Sequence, residues 1–112
     1  MITLQKLISV APFPEETKAE LLSHVDRLEK ERKLELEELC WSLISQWYQN
    51  ELRGKQELAT LEMAQGKKQY TKEDFKKMEE ELFTDLVTKL DTQSSEEDLA
   101  EAREKLGALL NE

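Results

Sequence analysis

The sequence predicts an all-α protein, an antiparallel helical hairpin or bundle of about four to five helices built around one long central helix. Three observations lead there. Only three glycines and two prolines interrupt 112 residues, and Glu, Lys and Leu dominate the rest, a composition with high intrinsic helix propensity. Between residues 15 and 90 the apolar residues recur every three or four positions instead of alternating as in a strand. That periodicity also argues against disorder in a chain that is 37% charged. Finally, from Leu36 to Tyr48 the apolar residues Leu36, Leu39, Cys40, Trp41, Leu43, Ile44, Trp47 and Tyr48 cover a helical arc of roughly 200°, about twice the stripe of an ordinary surface helix. A helix with so wide an arc needs cover from two sides, which makes it the centre of the packing.

The first element is a short helix over residues 3–11 whose stripe is Leu4, Leu7, Ile8 and Ala11. Pro12-Phe13-Pro14 ends it, because proline lacks a donor and drives its predecessor out of the helical region. Pro14 suits the start of the next helix, and Glu15 and Glu16 favour the positive end of its dipole. That helix runs to about Leu28 with Leu21, Leu22, Val25 and Leu28 on one side. A turn is expected at residues 27–31, although no Gly, Pro or Ser/Thr cap marks it and an unbroken helix is the alternative.

From about residue 30 the central helix runs past Gly54 to Met63 or Ala64, with Leu58 and Leu61 continuing the line of its stripe. Gly66 to Tyr70 is the turn. Thr71 and Asp74 have the spacing of a capping box, opening a helix over about 72–91 that carries Phe75, Met78, Leu82, Phe83, Leu86, Val87 and Leu90. Asp91 to Ser94 form a loop, and Ser95 with Asp98 starts a last helix whose narrow stripe is Leu99, Ala102, Leu106, Leu109 and Leu110. Gly107 weakens its end by about 1 kcal/mol relative to alanine.

The two broad helices, 30–65 and 72–91, form an antiparallel hairpin because their connection is short. The narrower helices, 15–28 and 96–110, are expected on its wider face. The whole reads as a single helical domain, 1–112, with the short N-terminal helix and proline break in 1–14, the bundle core in 15–91 and a loop and helix in 92–112. At 1.5 Å per residue the first broad helix is about 50 Å long and its partner about 30 Å. Part of the long helix therefore projects, or a second molecule covers it.

Function is less legible than fold. The net charge of −9 disfavours long-range attraction to nucleic acid or to an anionic membrane. It is unevenly spread: residues 15–52 carry −5, residues 53–72 carry +3 and residues 73–112 carry −8. No run nears the ~18 apolar residues that span a membrane, and the N-terminus lacks a basic start followed by a sustained apolar region. The single cysteine, Cys40, lies inside the apolar arc and reads as a buried thiol in a reducing compartment. The expected location is cytoplasmic, without membrane attachment.

No catalytic, metal or cofactor site is expected. His24 with Glu20 offers two metal ligands where a closed zinc site takes about four. Glu37/Glu38 and Glu79/Glu80/Glu81 read as solvated helix faces, since acid–base chemistry needs carboxylates driven apart in pKa within a cleft. No nucleophile elbow or phosphate-binding glycine loop occurs.

Two binding surfaces remain. Trp41, Ile44 and Tyr48 stand at the far edge of the arc, where aromatics either close the core or meet a partner. These three are the expected contacts with a protein partner or with a second copy of the chain. The other is the basic stretch Arg53–Lys77 at the hairpin tip, where Lys67, Lys68 and Lys72 are the expected phosphate contacts if the protein touches nucleic acid. A variant of that reading has the acidic surface occupying a nucleic-acid-binding site on another protein. Against the phosphate role, the lysines of a solvated turn pair readily with Glu57, Glu62, Glu73 and Glu79 to Glu81.

Overall fold

Local turn chemistry sets the helix boundaries. The computed structural model describes residues 2–90 and 96–110, the last three by their backbone alone, and contains no strand among them. Five helices follow in order: α1 (Leu4–Val10), α2 (Glu15–His24), α3 (Lys30–Ala64), α4 (Lys72–Lys89) and α5 (Glu96–Leu110), with one 3-10 turn, Val25–Arg27, after α2. The all-α fold with one long central helix is therefore present.

Thr3 caps α1, its hydroxyl accepting the Lys6 amide at 3.2 Å. Ala11 leaves the helix at ψ 146° just before Pro12, as the proline requires. Pro14 precedes α2 and its carbonyl accepts the Lys18 amide at 3.0 Å. The turn expected at 27–31 is real: Leu28 and Glu29 are extended, at ψ 144° and 156°. At the far end of α3, Gly66 adopts φ 70°, where a residue with a Cβ is strained. The Gly66 amide bonds to the Met63 carbonyl and the Lys67 amide to the Glu62 carbonyl, each at 3.0 Å. Together these form a Schellman cap. Thr71 and Asp74 complete the capping box of α4 reciprocally. The expected loop Asp91–Ser94 and the cap at Ser95 lie outside the described residues, as do the side chains of Leu109 and Leu110.

α3 has 35 residues and so spans about 52 Å, nearly the 56 Å length of the molecule. α4 returns antiparallel along it: Tyr48 donates to the Glu79 carbonyl at 3.3 Å, and nearer the tip Tyr70 donates to Glu62 at 2.6 Å. The core joins Ile2, Leu7, Ile8 and Ala11 of the N-terminal segment to Cys40, Trp41, Ile44 and Tyr48 of α3. Leu82, Phe83, Leu86, Val87 and Leu90 come from α4 and its C-cap, and Ala102 and Leu106 from α5.

One packing expectation is corrected. α5 lies against α3 as anticipated, but α2 packs chiefly on α1 and on the turn that follows it. No residue of α2 is buried, and the short helix α1 covers α3 instead. The physical reason lies in charge. α1 carries one charged side chain, Lys6, whereas α2 carries Glu15, Glu16, Lys18 and Glu20. Burying the first costs little desolvation and burying the second a good deal.

Ile8 is fully buried while Leu22 of α2 is 38% exposed. Urea titration is therefore expected to show Ile8→Ala losing about 2–5 kcal/mol and Leu22→Ala less than about 1 kcal/mol.

Candidate functional site

Enclosing α3 divides its wide apolar arc in two. Trp41, Ile44 and Tyr48 are each no more than 2% exposed. They face the inside of the bundle, not a partner, and their assignment as partner contacts is corrected. Tyr48 shows how the chain achieves this. Its ring is buried and its hydroxyl reaches the Glu79 carbonyl on α4, so a polar tip is satisfied inside the fold. Burial, then the nearby Glu79 carboxylate, raises its pKa, and Arg103 opposes them. Arg103 in turn lies 3.9 Å from the centre of the Phe83 ring, sealing the seam between α4 and α5.

The opposite edge of the arc is the one left open. Leu39 is 48% exposed, and further along the helix Leu58 and Leu61 are 58% and 53% exposed. Leu36, Leu43 and Trp47 are half-buried. Trp47 packs against the core and is covered on one face by the Lys89 ammonium at 4.8 Å from its ring centre, a cation–π contact. Leu34 is also exposed but projects on another side of the helix, about 160° from Leu36. The outward row of α3 is thus leucine-rich where the aromatic row is filled.

Two polar atoms inside the core stand out. Trp41 Nε1 and Ser45 Oγ, one turn apart on α3, are buried with no hydrogen-bond partner. Each orphaned group costs about 1–3 kcal/mol, which the indole's large buried area offsets. Nearby, burial and the Glu37 carboxylate push the Cys40 thiol from 9.0 up to about 11.

The hairpin tip is exposed, and so are Lys67, Lys68 and Lys72. Lys68, Tyr70, Asp74, Lys77 and Glu81 line an open cleft of about 490 Å³. Among the described residues none of these lysines closes an ion pair with the carboxylates expected to take them. Lys77 and Lys68 nevertheless act on Asp74 through space. The Thr71 backbone bond first, then these charges, hold its carboxyl below the usual carboxylate range. The tip's aromatic is already engaged: Tyr70 bonds to Glu62 and sits 6.1 Å from Phe75, with the Lys68 ammonium 5.9 Å from its ring centre. A base would have to displace these contacts before stacking there.

Among the described residues no three His, Cys, Asp or Glu side chains gather where they would hold a metal ion, and no helix is long and apolar enough to cross a membrane. Comparison with protein-family models, with curated proteins and with solved structures returned no match.

Two outcomes follow from the core. Ser45→Ala removes an unpaired hydroxyl and improves helix propensity, and is expected to stabilise the protein by about 1 kcal/mol in urea titration. Native Cys40 is expected to react with a thiol reagent at pH 8 at least about tenfold more slowly than in the unfolded chain. Its raised pKa favours the folded state fully below pH 9.0, and that contribution is lost as pH rises through about 11.

Proposed function

We infer that this is a non-enzymatic protein–protein interaction module that works in a reducing, cytoplasmic setting and binds through the outward leucine face of α3. One observation carries the reading. After α1, α4 and α5 have filled the core-facing side, Leu39, Leu58 and Leu61 remain about half exposed along one helix. Scattered single leucines need no explanation, but leucines left open on one continuous rigid helix, within about 100° of its circumference, give a partner an apolar face. The mixed charges beside it set orientation more than affinity. Cys40, free and buried, supports the reducing setting.

No observation favours the nucleic-acid reading over this one. The tip's lysines stand among Glu62, Asp74 and Glu81, so the local field that a phosphate meets is mixed, and its aromatic is occupied.

The reading is tested by placing a photo-crosslinking amino acid at Leu39, and separately at Thr84 on the exposed side of α4, in the cells that make the protein. A defined covalent adduct at Leu39 with none at Thr84 is expected. Absence of any adduct at Leu39, or equal labelling at both positions, would remove the proposal.

A further inference from the structure

The core of the bundle ends well short of the hairpin tip. Its buried and partly buried members on α3 run from Leu36 to Leu52, and those on α4 and its C-cap from Leu82 to Leu90. Between Leu52 and Leu82 none of the described residues joins that core. In this stretch Leu58 and Leu61 are exposed and Ala59 alone is buried, at 2% exposure. A single methyl group removes little apolar area from water. Met63, Phe75 and Met78 are half-buried, with only two helices to cover them.

The contacts that shape this stretch are local. The Tyr70 hydroxyl bonds to Glu62 at 2.6 Å, and the Tyr70 ring lies 6.1 Å from Phe75. Gly66 closes α3, and the Thr71–Asp74 box opens α4. The longest of these reaches spans eight positions, so none of them ties the tip to the bundle. On α4 the last such tie is the Glu79 carbonyl, held by Tyr48.

Gly54 stands at the border on α3. It is exposed within a continuous helix, with open space where a Cβ would lie. At such a position glycine weakens the helix about fivefold relative to alanine. Beyond it each helical piece is shorter than the ~12–15 residues at which an isolated helix becomes even marginally stable in water.

We propose that residues 54–78 form a hairpin arm that opens at Gly54 as a cooperative unit of its own while the bundle stays closed. The closed chain keeps α3 continuous, and the open form is a minor population in exchange with it. Opening bares Met63, Phe75 and Met78, an adaptable apolar surface, and leaves the tryptophan core enclosed. This goes beyond the interaction reading and does not rest on it, since the arm opens whether or not the outward face of α3 takes a partner.

Hydrogen exchange on the purified full chain reads both units at once. After correction for intrinsic rates, amides of residues 56–64 and 75–78 are expected to exchange at least about tenfold faster than those of 41–48 and 83–90. They are also expected to share one opening constant, in contrast to the gradient that fraying from the tip produces. Ala59→Pro breaks the helix of the arm and is expected to strip protection from the arm amides while the core keeps its own. Core protection then falls by no more than the factor that protected the arm before, because an arm already open passes on no further penalty. Arm and core rates that agree within about tenfold, a smooth gradient from the tip, or loss of protection in both units on Ala59→Pro each overturn the proposal.

Discussion

Enclosure of the aromatic side of α3 is the constraint on which the structure depends. Trp41, Ile44 and Tyr48, with Cys40 beside them, cannot be left in water without losing large apolar areas. One neighbour cannot cover them, because with Ser45 they spread over about 140° of the helix. The chain therefore brings three helices to one: α1 and α5 along part of α3, and α4 antiparallel beside it. The cost is visible in the same place. Trp41 Nε1 and Ser45 Oγ lose water and gain no partner, and the fold tolerates this because the burial around them is worth more.

Satisfying the aromatic side leaves the leucine side open. A chain of this length has a finite set of covering helices, and α4, with 18 residues, is about half as long as α3. Once α4 is aligned by Tyr48 at one level and by Tyr70 at the tip, it has no freedom to roll toward Leu39 or Leu61. The open row is thus a geometrical consequence of how the core closes, and its straightness follows from the rigidity of an unbroken helix.

Much of this was legible in the sequence, and the rest was lost for identifiable reasons. Helix limits were readable because turn chemistry is local: Pro12 and Pro14, Gly66, and the Thr71–Asp74 pair act over three or four residues. The break at Leu28 had no cap to mark it and was signalled only by a weak repeat, Lys18, Leu21, Val25 and Leu28 returning as Lys33, Leu36, Cys40 and Leu43; the chain is extended at Leu28 and Glu29. Which edge of the arc faces inward was not readable. Periodicity reports the width of an apolar face, while its orientation depends on helices distant in sequence. The expectation that Trp41 and Tyr48 formed an outer edge failed for that reason. α2 and α1 were exchanged for a related one: each shows a stripe, and only the charge around the stripe distinguishes which can be buried. The signal for the open row was present in Leu58 and Leu61, which prolong the stripe beyond the reach of its neighbours.

The same logic separates the two surfaces that sequence reading left side by side. A phosphate site needs cations whose field is uncancelled at close range, since screening removes contributions from beyond about 8 Å. At the tip the neighbours of Lys68 and Lys77 inside that distance include Asp74, whose carboxyl is held ionised by the Thr71 cap and by those same lysines. The lysines thus serve the start of α4 and lose attraction for an outside anion. The net charge of −9 pushes the balance the same way, since the protein as a whole repels phosphates at long range.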